Sequence, residues 1–329
     1  MDSIGIGFYS GLGDIVSAIP SLREASKKAK VYVFVKDSLL DESISFLNKY
    51  VEGCVFVPFS RKISLLPFLV KYFRDKKITS FLVSCHPPVA HSSSFIPPFL
   101  WFIRFILMYN LTIIGEKQDR FSFFYTKLFS LNREMKLTDR EEIAFIKSGI
   151  LTDIPTKIIV NNNSICDYVF FHYGASSLNK LVAKESFALI LNYVSFFYPI
   201  VLSAMPSDLE YFKKAGLSNI TFIRGSISEI ADVLILSRAV IAHDTGFTHV
   251  AGLFQKRQYA FYGPHSPLVY GPRNNYANFY INPSETFKSC MPCGKKICLR
   301  HDNKHCLSDI EIYSVLKEIM YVINGSNVY

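Results

Sequence analysis

Ala239-Val240-Ile241-Ala242-His243-Asp244-Thr245-Gly246-Phe247-Thr248-His249-Val250-Ala251-Gly252 sets an apolar run, a short polar turn and a second apolar run end to end. The first run has the length and composition of a buried strand, and 248–254 suits a helix. A strand passing through one polar turn into a helix is the repeating unit of a parallel α/β sheet. The turn is itself suited to an anion. The Thr245 hydroxyl and the amides of Gly246 and Phe247 open onto a helix N-terminus, where free N–H groups and the helix dipole favour a diphosphate. Asp244 is placed to accept sugar or ribose hydroxyls. A plainer assignment stands beside this one, in which the turn is a helix cap and His249 packs in the core.

Working outward, the same alternation continues in both directions. Strands are predicted at 168–172, 200–203, 221–223, 239–242 and 258–262, with helices at 186–197, 208–215, 227–237 and 248–254. Strands at 4–8, 31–35, 54–57, 80–83 and 111–114 form an earlier set. Between the sets, 131–153 turns charged and helical, and Pro155 with Asn161-Asn162-Asn163-Ser164 marks a change of domain at 150–166. A chain of 329 residues exceeds what one core usually serves. The expected organisation is a domain over 1–155, a second over 156–308 and a closing amphipathic helix within 309–329, with Ser308 as its N-cap. Two doubly wound domains facing each other leave a cleft outside the carboxyl ends of their strands, so the chemistry belongs in the loops that follow strands.

Half of the residues are apolar and 19% are charged, a balance for ordinary cores rather than disorder. The net charge of +9 favours anionic partners, whether nucleic acid, phosphorylated glycolipid or membrane headgroups. No run of five Lys and Arg and no common nucleic-acid motif is present, so no nucleic-acid partner is expected. The N-terminus lacks a basic leader ahead of its first apolar run, and a cytoplasmic location is expected. Phe95 to Ile114 is long enough to span a bilayer, but Arg104 near its centre and Pro97-Pro98 argue instead for a buried or interfacial helix starting near Pro98.

Three further segments carry candidate chemistry. Tyr9-Ser10-Gly11-Leu12-Gly13-Asp14 precedes apolar residues at helical spacing, so Gly11 and Gly13 permit close backbone approach and Asp14 lies at a helix N-terminus. Asp14 there serves as a cap or as a catalytic carboxylate. The fingerprint Gly5-x-Gly7-x-x-Ser10 is rejected as a dinucleotide site, because its glycines lie inside the strand and no acidic partner follows. Phe171-His172-Tyr173-Gly174-Ala175-Ser176-Ser177, followed by Asn179-Lys180, is a small-residue loop with a lysine able to neutralise phosphate, although loop lysines are usually only solvated. Of seven cysteines, Cys290, Cys293, Cys298 and Cys306 cluster with His301 and His305. Four thiolates so close suit a tetrahedral metal, zinc with iron as competitor, against reduced cysteines or a labile disulfide.

Taken together, the segments resemble the bacterial heptosyltransferases, glycosyltransferase family 9. The resemblance rests on Ser10-Gly11-Leu12-Gly13-Asp14 with Pro20 and Leu22, on Lys180 with Phe187 seven residues later, on Asp244-Thr245-Gly246 with His249, on Phe261-Tyr262-Gly263-Pro264, and on the closing cysteines. It implies a GT-B architecture of two facing Rossmann-like domains, an acceptor-binding one and then a nucleotide-sugar-binding one. It implies an inverting transfer of heptose from ADP-heptose to lipopolysaccharide core or a related surface glycan, with Asp14 as general base and Lys180 on the diphosphate. Gly13, Gly174, Asp244, Thr245, Gly246 and His249 complete the donor set, while Arg61, Lys62 and Arg120 are weaker candidates for gripping an anionic acceptor.

No cofactor is required in this scheme, since lysine and helix amides supply the positive field, and the cysteines leave room for structural zinc or iron. Peripheral contact with the cytoplasmic face of the inner membrane fits an anionic glycolipid acceptor. A protein O-heptosyltransferase with metal-bound cysteines and a non-catalytic nucleotide-sugar-binding scaffold are the alternatives. Leu181-Val182-Ala183 departs from the family, in which an aromatic and a proline usually follow the lysine.

Overall fold

The computed structural model of the chain describes residues 3–8, 11–59, 66–83, 96–107, 110–117, 122–132, 135–155, 165–284, 290–295, 297–298 and 305–325, and the side chains of all of these except 38, 40–42 and 96–99. Arg61, Lys62, Arg120, Ser10 and His301 therefore lie outside the described residues, as does 156–164 of the expected linker. Met1–Lys157 and Ile158–Tyr329 form two compact units.

In the first unit the strands are β1 (Ser3–Phe8), β2 (Lys30–Lys36), β3 (Cys54–Phe59), β4 (Ile78–Val83), β5 (Thr112–Glu116) and β6 (Lys127–Phe129). All pair in parallel, in the order β3-β2-β1-β4-β5-β6. The helices are α1 (Leu12–Lys28), α2 (Asp37–Tyr50), α3 (Leu66–Asp75), α4 (Ile96–Ile106) and α5 (Leu137–Ser148). Val31 to Val35 of β2 are buried without alternation, as a strand covered on both faces requires. The edge strand β3 instead alternates, and β6 buries only Phe129.

The second unit repeats the plan with β7 (Val169–Tyr173), β8 (Ile200–Ala204), β9 (Ile220–Ile223), β10 (Ala239–His243), β11 (Gln258–Tyr262) and β12 (Ala277–Ile281). They too are parallel, in the order β12-β11-β10-β7-β8-β9. Its helices are α6 (Lys184–Ser195), α7 (Pro206–Lys214), α8 (Ile227–Leu236), α9 (Gly246–Leu253), α10 (Pro267–Tyr270) and α11 (Ile312–Asn324). Both sheets thus have the doubly wound order in which the third strand is at one edge and the chain returns beside the first. One core cluster of the second unit joins Phe171, Phe187, Ile241 and Phe261 to Val315, Ile319 and Val322 of α11.

Two expectations need correction. The N-cap of α11 is Glu311, whose carboxylate accepts from the N–H groups of Tyr313 and Ser314, and not Ser308, which is spent on a turn with His305. Helix α1 is capped by Gly11, with Asp14 at the third helical position rather than at the cap itself. The helix expected to start near Pro98 is α4, described from Ile96, and the strand expected at 111–114 is β5, with Leu111 and Ile113 in the sheet core.

Candidate functional site

In the first unit, Asp14 accepts the Gly11 N–H on Oδ2 at 2.9 Å, closing the first turn of α1 from inside. Gly13, half-buried one residue earlier, has its carbonyl tied to Ser17 Oγ at 2.7 Å. Gly5 serves packing, since a Cβ there would stand 2.5 Å from the Phe81 ring.

In the second unit the strand order reverses between β7 and β10, and the crevice beyond the carboxyl ends of strands at such a point is where doubly wound sheets bind ligands. The segments arriving there are Gly174 to Lys180 after β7, Asp244-Thr245 after β10, and Gly263-Pro264-His265 after β11. Gly174 is crowded, because a Cβ would meet His172 Nε2 at 2.7 Å.

The loop that carries Lys180 is fastened from below. His243, the last residue of β10, is fully buried and lies against Phe187 with ring centroids 5.3 Å apart. Its Nε2 accepts the Val182 N–H at 3.1 Å, while Tyr173 donates its hydroxyl to the Val182 carbonyl at 2.9 Å. Burial holds His243 neutral, with its pKa down to about 3. The departure at Leu181-Val182-Ala183 therefore still yields an anchored loop, with Val182 in the core.

Lys180 stands at the end of a short 3-10 turn, Leu178–Lys180, and is only 8% exposed. Its Nζ lies 2.7 Å from Asp244 Oδ2, and His265 Nδ1 reaches the same oxygen at 2.7 Å. Burial opposes the charge on Asp244, but the His265 hydrogen bond and the Lys180 ammonium outweigh it and set the carboxyl near 2. An ionised Asp244 requires the proton of His265 on Nδ1. The His265 ring stacks on Tyr270 at 4.5 Å, which fixes its direction.

Beside this trio, Thr245 caps α9. Its Oγ1 accepts the Phe247 N–H at 3.2 Å and its carbonyl accepts from Thr248 Oγ1 at 2.7 Å. Gly246 is the first helical residue, with its amide at the positive end of α9, while His249 is buried within the helix. A cap and an anion-attracting helix start, the two assignments open for this turn, are thus present in one place.

The cysteine segment braces the same loops. Asn179 donates Nδ2 to the Lys295 carbonyl at 2.8 Å, and Gly294 N–H reaches the Pro264 carbonyl at 2.7 Å. A Cβ at Gly263 would stand 2.7 Å from the Asn179 carbonyl and 3.0 Å from Cys306 Sγ. Cys290 and Cys293 are exposed thiols, Cys298 is half-buried and Cys306 is buried, its thiol pushed up to about 12 chiefly by burial. Among the described residues no three His, Cys, Asp or Glu side chains converge as a metal site, while the Cys290, Cys293 and Cys298 thiols lie near enough to Cys306 to add to the rise of its pKa.

The structure brings Lys180, Asp244, Thr245 and Gly246 together with Gly174 nearby. It adds His265, Tyr270, Asn179 and His243, to which sequence reasoning gave no role. The only sequence signal for His265 was its place directly after Phe261-Tyr262-Gly263-Pro264.

Residues 162–302 match the family model described as glycosyltransferase family 9 (heptosyltransferase). The second unit carries a glycosyltransferase family 9 domain. The chain's fold is that of solved heptosyltransferases. Against the E. coli heptosyltransferase WaaC with ADP, the TM-score is 0.70 at 17% identity, covering 97% of this chain and 99% of that one. Against E. coli ADP-heptose lps heptosyltransferase II it is 0.71 at 16% identity, with 99% of each chain covered. Against the glycosyl transferase family 9 from Veillonella parvula DSM 2008 it is 0.72 at 18% identity, with 99% and 98% covered. No curated protein matches the sequence. The domain and the GT-B fold make the chain a glycosyltransferase, and Lys180, Asp244, Thr245 and Gly246 all lie inside the matched segment.

Proposed function

We propose that this glycosyltransferase is an inverting enzyme that transfers heptose from ADP-heptose to a hydroxyl of lipopolysaccharide core or a related anionic surface glycan, working on the cytoplasmic face of the inner membrane. The observation that carries the donor half is the buried Lys180–Asp244–His265 trio beside the N-terminus of α9. An isolated buried ion pair is a costly arrangement unless it serves a function. A diphosphate arriving at this point meets an ammonium, a helix N-terminus and the Gly246 amide, while Asp244 is positioned to accept sugar hydroxyls. One E. coli relative is solved with ADP and the other is an ADP-heptose heptosyltransferase, which supports the choice of adenosine nucleotide and sugar.

In this reading the Asp14 carboxylate takes the proton of the acceptor hydroxyl, whose oxygen attacks the anomeric carbon as the bond to the diphosphate oxygen breaks. The charge that develops on the departing ADP falls to Lys180 and to the start of α9. Asp244 and His265 fix the direction of the lysine and the sugar.

Thermal stabilisation by a panel of nucleotides and nucleotide sugars tests the reading. A ligand at about 100 times its dissociation constant adds roughly 2.7 kcal/mol, or several degrees of Tm. ADP and ADP-heptose are expected to stabilise more than the UDP, GDP and CDP counterparts. A preference for uridine or guanosine forms would overturn the sugar, and no response to any of them would overturn the donor site.

A further inference from the structure

Helix α4 is apolar on two faces. Leu100 and Ile103 are fully buried in a core cluster of the first unit, with Leu107 packed against it. The opposite face presents Trp101, Phe102, Phe105 and Ile106 at 39, 49, 54 and 38% exposure. A surface helix ordinarily turns polar residues outward. The one charged side chain of α4 does not interrupt this face, because Arg104 turns back and donates Nη1 to the Leu111 carbonyl at 2.6 Å.

The bare face extends to the elements α4 packs against. In the turn Ser122–Phe124, Phe123 is 72% exposed and Phe124 lies edge-on to Trp101. On α3, Phe68 is 54% exposed, and exposed Lys71 and Arg74 are followed by exposed Lys76 and Lys77, with Asp75 as the single acid among them. Over 60–133 the sequence holds eleven Lys and Arg against three Asp and Glu, so most of the net charge of +9 arises there.

We propose that this face of α4, with Phe123 and the basic end of α3, docks the first unit on an anionic phospholipid bilayer. Aromatic rings are the side chains that settle at the boundary between headgroups and acyl chains, and a lysine and arginine rim beside them selects a negative surface. Among the described residues no helix is long and apolar enough to cross a membrane, so the contact lies on the bilayer and not through it. The inference deepens the proposed working place at the inner membrane and rests on that reading, while its observations belong to this surface and not to the donor site.

Trp101 is the only tryptophan of the chain and lies in the proposed contact, so its emission reports on it directly. With the full chain, vesicles of phosphatidylcholine mixed with phosphatidylglycerol should shift Trp101 emission to the blue, and lipids with brominated chains should quench it. Phosphatidylcholine alone or high salt should weaken both effects. The double variants Phe102→Ser with Phe105→Ser, and Lys71→Glu with Arg74→Glu, alter exposed side chains. Each should lower vesicle partition by roughly tenfold or more while leaving stabilisation by ADP unchanged. Three results overturn the proposal: no change at Trp101 with anionic vesicles, partition indifferent to both double variants, or concentration-dependent self-association abolished by the Phe variant, which would assign the face to a second copy of the chain. Vesicle binding without any response to ADP would instead count against the donor site alone.

Discussion

Asp14 has two roles that one substitution separates. In Asp14→Asn the amide oxygen can still accept the Gly11 N–H, so α1 keeps its start, but the side chain no longer takes a proton. Turnover should fall roughly 10²–10⁴-fold with donor affinity intact, as measured by initial rates and ADP titration. Turnover within a few-fold of the parent would leave Asp14 only its structural bond to the Gly11 N–H. Lys180→Ala acts on the other half. It removes one of the two partners of a buried carboxylate, so Asp244 should titrate above its present value near 2, and ADP affinity should drop by about 10–100-fold. Unchanged affinity in calorimetry would remove Lys180 from the diphosphate site. His265 shows what residue-level reading lacks: a histidine twenty-one positions from Asp244 becomes its partner only because β10 and β11 are adjacent and parallel.

At the scale of elements, the start of α9 depends on Thr245. Removing the hydroxyl in Thr245→Ala leaves the Phe247 N–H without its acceptor and should cost about 1 kcal/mol in denaturant unfolding, whereas Thr245→Ser should retain most of the stability. A loss equal in both variants would point to packing of the methyl group and away from the cap. Elements were legible where burial is complete. The strand of five buried residues in β2 and the all-buried β10 and β11 announce themselves as apolar runs. Edge elements did not. β6 is three residues with two exposed, and β12 keeps only Tyr280 buried, so neither presents an apolar run of four residues or more. For α4, sequence reading left a buried or an interfacial helix open, and packing shows one face buried and one bare.

At the scale of the whole molecule, acid should destabilise the chain before carboxylates account for it. His243 is buried neutral with its pKa lowered from 6.5 to about 3, and His172, partly exposed, is lowered to about 4. Between these values and 6.5 the unfolded chain binds more protons than the folded one, so stability rises with pH across that window and is lost on acidification from 6.5 downward. The slope is up to about 1.4 kcal/mol per pH unit for each histidine, with His243 the larger contributor. Asp244 is shifted in the same downward sense, but in a lower window: its stabilisation is present above 3.8 and is lost as pH falls through about 2. Unfolding free energy measured from pH 7 to 5 should therefore decline, and His243→Gln, which keeps an acceptor for the Val182 N–H, should flatten the decline. An unchanged slope in that variant would assign the decline to other groups.

The amino-acid pattern by itself determined two doubly wound α/β sets, the strand-turn-helix around Asp244 and the candidate residues Asp14, Lys180, Thr245 and Gly246, because apolar periodicity and helix-start chemistry are local properties of a chain. Tertiary structure alone decided which of these residues meet. Lys180 and Asp244 are 2.7 Å apart, although sixty-four positions separate them in the chain, because β7 and β10 are neighbours at the reversal of the sheet. It also decided that the cysteine segment braces the Asn179 side chain and the Pro264 carbonyl, and that the described residues leave one face of α4 uncovered. Each of these follows from strand order and packing between distant segments, which no local pattern of residues encodes.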